Sequence, residues 1–200
     1  MEMILLNIVT AASRPYNIKL ITDNIKSVIT KCEVRWYLIF DSRKVEEFIP
    51  KDCYYYDFIP GDISGAPQKN KALDLINDGW VYFLDDDNLM HKQFEDCFLE
   101  KIKTKRLICK NGLKQQGLVK GVVFNQLLAD ETLRAGVNQK NGSSVDCGQF
   151  VVNREIIGNQ RFNLDFYASD GVFFKEIYDI HKEKIIFVDE PFTYYNAIKP

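Results

Sequence analysis

Four apolar residues, Val81-Tyr82-Phe83-Leu84, run directly into Asp85-Asp86-Asp87-Asn88, and few arrangements accommodate both parts of that stretch. The apolar run reads as a buried strand. Three consecutive carboxylates cannot follow it into a core, because each raises the cost of ionising its neighbours and an unpaired buried charge is expensive. The strand must therefore end at an open sheet edge, where a divalent ion or a set of sugar hydroxyls can offset the repulsion. The plain alternative is that these acids only cap the strand or a following helix, as Asp and Asn do through bonds to nearby backbone.

The rest of the first half sets a strand-helix alternation around that edge. Met3 to Val9 is predicted as a buried strand, Thr10 to Pro15 as a small-residue turn, and Tyr16 to Thr30 as a helix. A second strand, Val34 to Phe40, ends at Asp41-Ser42, and a shorter third covers Tyr54 to Ile59. After a connector over 61–67, Gln68 to Asn77 carries Ala72, Leu73, Leu75 and Ile76 on a helical face, and the Val81 to Leu84 strand follows. This order predicts an α/β fold: a single Rossmann-like domain with a central mixed, mostly parallel sheet flanked by helices. Ligands of such sheets bind beyond the carboxyl ends of the strands, where Asp41 and Asp85 to Asp87 would lie together.

The second half reads differently. A helix over His91 to Lys101 is followed by Arg106 to Lys110 and Gly117 to Phe124, a predicted strand pair around Asn111-Gly112. Asp130 to Ser144 is rich in Gly, Asn and Ser and is the candidate mobile loop. Cys147 to Val152 resumes as a strand, Ala168-Ser169-Asp170 precedes a helix over Val172 to Ile180, and Ile185 to Val188 is the last strand. The expected organisation is one domain whose two halves, about 1–90 and about 91–200, differ in pattern.

Charge and cysteine usage exclude some functions. Lys and Arg total 26 against 28 for Asp and Glu, so no global positive field recruits nucleic acid, and binding must come from a local site. The five cysteines form no CxxC pair, which argues against a disulfide framework and a structural zinc site and points to a reducing cytoplasm. Met1 to Val9 carries Glu2, lacks a basic leader and is too short to span a bilayer. The expected location is cytoplasmic. A peripheral contact at the inner face of the membrane stays open through the basic stretch 101–106, which also reads as a solvated helix end. His91 and His181 read as surface helix residues rather than ligands.

Four segments in order resemble the GT-A class of nucleotide-sugar-dependent glycosyltransferases, and within it the β-1,3-glucuronyltransferase group. They are Ile8-Val9-Thr10-Ala11-Ala12-Ser13-Arg14-Pro15; Gly65-Ala66-Pro67-Gln68-Lys69-Asn70-Lys71-Ala72-Leu73; Tyr82 to Asn88; and Asp170-Gly171-Val172-Phe173-Phe174-Lys175. The resemblance implies a metal-dependent, inverting transfer of a sugar from a nucleotide donor, UDP-sugar favoured, to a saccharide or glycolipid acceptor in polysaccharide or glycoconjugate synthesis. It makes Asp87 the ligand of Mn²⁺ or Mg²⁺, puts Asp86 on the ribose and Asp85 near the donor sugar, and gives Asp41 to the uracil. Lys69 falls where a cation touches phosphate or donor sugar, and Thr10, Ala12, Arg14 and Gln68 fall at further nucleotide-sugar positions. Asp170 matches the catalytic base, and Asp146, Gly148 and Gln149 match the floor of the acceptor pocket.

The chemistry asks for those parts. Negative charge builds on the departing diphosphate, which a hard cation stabilises, and the attacking hydroxyl must lose a proton to a carboxylate. Three departures bear on specificity: Ala12 stands where the group stacks an aromatic on uracil, Ser64 where it has an Arg, and the tail 193–200 has no His. Tyr194, Tyr195 and Asn196 are the tail residues available in its place. Two other readings stay open at this point: a retaining transferase or nucleotidyltransferase on the same fold, and a non-catalytic nucleotide- or carbohydrate-binding module.

Overall fold

The computed structural model describes residues 3–41, 46–61, 64–110, 113–128, 130–134, 145–165 and 169–198, with the side chains of Glu46 and of residues 106–116 outside the description. The Asn111-Gly112 turn and residues 135–144 of the expected mobile loop lie outside the described residues. Strands β1 (Leu5–Ala12), β2 (Glu33–Phe40), β3 (Tyr55–Phe58) and β4 (Trp80–Phe83) form the parallel part of the sheet, in spatial order β3-β2-β1-β4. Their crossovers carry helices α1 (Ile18–Val28), between β1 and β2, and α2 (Ala66–Leu75), between β3 and β4. The near-continuous apolar character of β1, β2 and β4 follows from burial on both faces.

Alternation along the strands sorts the core into two layers. Leu6, Ile8, Trp36, Leu38, Trp80 and Tyr82 pack with Ile18, Ile21 and Ile25 of α1 and with Phe94 and Phe98 of α3 (Phe94–Ile102). Val9, Tyr37, Ile39, Val81 and Phe83 pack on the other side with Ala72 and Leu73 of α2 and with Phe173, Phe174 and Ile177 of α5 (Ser169–His181). The result is the helix-sheet-helix sandwich that the alternating pattern predicts.

The sheet continues into the second half of the chain. Beyond β4 come β10 (Phe150–Asn153), β8 (Gly121–Leu127), β11 (Ile185–Tyr194) and the two-residue β5 (Leu89–Met90), while β9 (Leu133–Arg134) pairs with β8. Here β10 is antiparallel to both β4 and β8, and β8 and β11 are parallel. The reversal of β10 matters for the site: its starting end lies beside the finishing end of β4, so residues just before Phe150 arrive at the same edge as Asp85. A short helix α4 (Arg154–Ile157) follows β10.

Several boundaries depart from the sequence reading. The stretch Gly117 to Phe124 is two elements: β7 (Leu113–Leu118) pairs with β6 (Lys105–Lys110) in a separate hairpin, and β8 enters the main sheet. Cys147–Gln149 is a 3₁₀ turn rather than the start of a strand, with Asp146 and Gln149 forming a reciprocal cap. The last strand runs on to Tyr194. His91 is not a surface helix residue: it precedes α3, is 9% exposed, accepts from Gln93 N–H and lies 5.3 Å from the Tyr194 ring. No helix among the described residues is long and apolar enough to cross a membrane.

Glu95 ties α3 to the turn between α1 and β2. It is 3% exposed and accepts from the backbone N–H groups of Thr30 (2.9 Å), Lys31 (2.7 Å) and Cys32 (2.9 Å). Burial raises its carboxyl pKa, but these donors outweigh burial and hold it below the ordinary value. A depressed folded-state pKa stabilises the fold above the unfolded value and is lost as pH falls through the folded one. Glu95→Gln is therefore expected to cost about 1 to 3 kcal/mol near neutral pH. That gap should close as pH drops below the ordinary Glu range; urea unfolding of both proteins across this span measures it, and a pH-independent gap refutes it.

Candidate active site

A cavity of about 480 Å³ opens where β1, β2 and β4 finish. Its floor is organised by Asp86, which is 2% exposed. One carboxylate oxygen accepts from the backbone N–H groups of Ser13 (2.6 Å) and Arg14 (2.5 Å), the other from Arg14 Nη1 (2.5 Å), and the Asp86 carbonyl accepts from Asn17 Nδ2 (2.8 Å). This carboxylate holds the loop after β1 to the loop after β4. Asp87 is less buried, faces Arg14 Nη1 at 3.0 Å, and has its carboxyl pushed up to about 6 by burial and the neighbouring Asp85, against the pull of Arg14.

The sharp approach of α2 to β1 depends on Gly65. Its φ is +69°, and a Cβ there would stand 2.5 Å from Ala11 Cβ, so a glycine is needed to begin the helix beside the strand. One turn inside α2, Gln68 donates to the carbonyls of Ile59 (2.6 Å) and Gly61 (3.2 Å), fixing the connector. Lys69 is 1% exposed, and its ammonium lies within 3.1 Å of Ser64 O, 3.2 Å of Asp85 Oδ1, 3.3 Å of Asp170 Oδ1 and 3.2 Å of Cys147 Sγ. Burial opposes its charge, but the Asp85 and Asp170 carboxylates, with the Cys147 sulfur accepting a hydrogen bond, outweigh burial and hold its pKa well above the ordinary lysine value.

Asp170, in the first turn of α5, meets this ammonium. Its side chain is 20% exposed, so it reaches the cavity; burial raises its carboxyl pKa, Lys69 pulls it back, and the net direction is upward. Cys147 donates its thiol to Asp85 Oδ2 (3.1 Å), and burial followed by Asp170 and Asp85 pushes that thiol well up, so it is neutral. Asp85, Asp146 and Cys147 place one ligand atom each within 4.8 Å of one another, a group in which a cation can be held.

The other wall comes from the second half. Arg134 donates to Asp146 (3.2 Å) and Gln126 (2.9 Å) and lies 3.9 Å over the Tyr195 ring. Asp146 also accepts from Gly148 N–H (2.9 Å), and Gln149 bonds both Asp146 N–H and the Arg134 carbonyl. A Cβ on Gly148 would stand 2.7 Å from Gln126 Nε2 and 3.2 Å from Asn88 Nδ2, so a side chain there requires the Gln126 amide to move. The tail folds back over the aspartates: Asn196 N–H donates to Asn88 Oδ1 (2.8 Å) and Ile198 N–H to the Asp87 carbonyl (3.0 Å).

Of the residues singled out in the sequence, Ala12, Arg14, Asp41, Gln68, Lys69, Asp85, Asp86, Asp87, Asp146 and Asp170 line this one cavity. Thr10 does not: it is fully buried, and its hydroxyl accepts from Trp36 Nε1 (3.0 Å) inside the core. Gly148 and Gln149 are buried behind the wall and shape it through Asp146. Tyr195 and Asn196 line the cavity, whereas Tyr194 packs on His91. Arg134 was not legible, since a lone Arg in a polar stretch carries no periodicity or motif; only the pairing of β9 with β8 brings it to the wall.

No family model matches the chain, and no curated protein matches it. Solved structures do. S. aureus TarS aligns over 96% of this chain and 36% of its own, with 14% identity and a TM-score of 0.66. Residues 1–349 of TarS in complex with UDP-GlcNAc align over 96% of this chain and 58% of their own (13% identity, TM-score 0.69). The same TarS segment in complex with UDP aligns over 96% and 60% (11% identity, TM-score 0.67). This chain thus spans between about a third and three-fifths of the TarS chains it matches. At such identity the likeness supports the fold class and not the narrower glucuronyltransferase resemblance: the chain has the GT-A arrangement of the TarS structures, a mixed, mostly parallel sheet flanked by helices.

Proposed function

We propose that this chain is a metal-dependent, inverting glycosyltransferase that moves a sugar from a UDP-sugar to a saccharide hydroxyl, with the first half holding the donor and the second the acceptor. One observation carries the reading. Among the described residues the cavity is lined by six carboxylates and three cations, and these three cations are already paired: Arg14 with Asp86 and Asp87, Lys69 with Asp85 and Asp170, Arg134 with Asp146. Two like charges about 5 Å apart cost roughly 3 kcal/mol at an effective dielectric near 20. A nucleoside diphosphate is therefore repelled unless a divalent cation enters with it. The TarS complexes with UDP-GlcNAc and UDP support the choice of nucleotide.

The residues present fit such an ion. Asp87 faces the cavity with a carboxyl raised by burial and by Asp85, against the pull of Arg14, and is the residue that would hold Mn²⁺ or Mg²⁺. A hard cation there offsets the charge that develops on the leaving diphosphate. Asp170 takes the proton of the acceptor hydroxyl as that oxygen bonds to the anomeric carbon; the electron pair of the broken bond leaves with the diphosphate. Attack from the face opposite the diphosphate inverts the configuration. Asp86 has a different part, because its carboxylate oxygens are committed to Ser13 and Arg14 and hold the loop that meets the nucleotide.

Substitutions separate these roles. Asp87→Asn is expected to abolish Mn²⁺-dependent UDP binding in calorimetry while leaving the melting temperature little changed; undiminished metal-dependent binding would show that the ion sits elsewhere. Asp170→Asn is expected to bind UDP as the wild type does and to lose about 10² to 10⁴-fold in transfer rate, and a full rate would remove it as the base. Asp86→Ala leaves the Ser13 and Arg14 backbone donors without their acceptor and the Arg14 guanidinium with Asp87 alone. It should cost about 1 to 3 kcal/mol of stability, read by thermal unfolding without any ligand; a melting temperature equal to that of the wild type would sink the structural role.

A further inference from the structure

Lys69 occupies the position at which a cation touching the donor phosphate or sugar is expected, yet its surroundings commit it elsewhere. An ammonium carries three N–H donors and accepts nothing. Around Nζ stand Ser64 O, Asp85 Oδ1 and Asp170 Oδ1, all within 3.3 Å, with Cys147 Sγ at 3.2 Å. The side chain is 1% exposed, and the Phe162 ring lies 5.4 Å from Nζ. That ring is itself fixed, 4.1 Å from Phe173, with the Phe162 backbone bonded in both directions to the Asn70 side chain (2.8 and 2.9 Å). Lys69 is held in a rigid slot under the cavity floor with no donor left over for a phosphate.

The two carboxylates it joins come from separate parts of the fold. Asp85 follows β4 and Asp170 lies in the first turn of α5, and the one Lys69 ammonium bonds both. Asp85 is gripped at both oxygens, Oδ1 by Lys69 and Oδ2 by the Cys147 thiol, so it is a fixed post. Asp170 is thereby referenced through one atom to the loop that carries Asp86 and Asp87. We infer that Lys69 is a positioning residue: it sets where the Asp170 carboxylate stands relative to the aspartate loop and makes no contact with the nucleotide sugar. This rests on the transferase reading above. Without Nζ, Asp85 and Asp170 repel, and Asp170 moves off the line of attack.

Steady-state kinetics and calorimetry on Lys69→Met, beside the wild type, test it. The expected result is a fall in kcat on the order of 10²-fold, the effect of an ångström-scale misplacement of a reacting group, with the Kd for Mg²⁺-UDP within about twofold of wild type. A residue that touched the diphosphate would instead raise Kd and KM together, and that outcome overturns the proposal, as does an unchanged kcat. If Lys69→Met does not fold, the wild-type chain still decides: the ¹⁵N resonance of the Lys69 ammonium, protected from exchange by its burial, should persist and shift little when Mg²⁺-UDP is added. A large shift on nucleotide binding overturns the proposal. Failure of the underlying reading looks different, because a wild-type chain that binds Mg²⁺-UDP but turns over no nucleotide sugar removes the reaction for which Asp170 is positioned.

Discussion

Crowded carboxylates at the finishing edge of a parallel sheet are the constraint around which the rest of this structure is arranged. Like charges a few ångströms apart cost several kcal/mol in a half-buried setting, and the chain meets that cost with three cations drawn from three different segments. Arg14 comes from the loop after β1, Lys69 from α2, and Arg134 from β9. Each bonds carboxylates from elsewhere in the sequence, so neutralising the edge also ties the loops together. Among the described residues the compensation is incomplete, and under the proposed function it is the divalent cation entering with the nucleotide that meets the remainder.

The sheet topology explains why residues from the second half can take part. Had β10 run parallel to β4, its start would lie at the opposite edge, and Asp146 and Cys147 with it. Its antiparallel pairing, with Val151 opposite Tyr82, turns that end to the aspartates. The buried turn before β10 then fixes the direction of Asp146 through its bonds with Gly148 and Gln149. Two separate devices, one backbone reversal and one reciprocal cap, therefore complete a wall that the parallel half cannot build alone.

How much of this was legible in the sequence depended on whether the signal was local. The strands ending at Ala12, Phe40 and Phe83 and the shared edge of Asp41 and Asp85 to Asp87 follow from apolar runs bounded by polar residues, which the chain displays openly. The break between Leu118 and Gly121 does not show, because an apolar run reads the same whether it stays in one hairpin or passes into another sheet. Thr10 directly precedes Ala11 and Ala12, which line the cavity, but it lies deeper in β1 and its hydroxyl meets Trp36 in the core, a difference in depth that an apolar run does not display. Asp86 shows the deeper limit. Three adjacent Asp residues announce a cation site, but nothing in their order tells which one is spent on Ser13 and Arg14.

The choice between the two cation positions at this edge turns on the same kind of accounting. Asp85, Asp146 and Cys147 have the spacing of a ligand group, but Asp85 and Cys147 each lie 3.2 Å from the Lys69 ammonium. A divalent ion there would face a fixed positive charge and a thiol that burial and two carboxylates keep protonated, whereas a metal-binding cysteine must give up its proton. A sulfur ligand is also a poor match for Mn²⁺ or Mg²⁺, which favour oxygen donors. Lys69 is better read as the cation of that group. Asp87 opens to the cavity and faces Arg14, with its carboxyl raised by burial and Asp85, so under the proposed function it is the carboxylate left for an incoming ion.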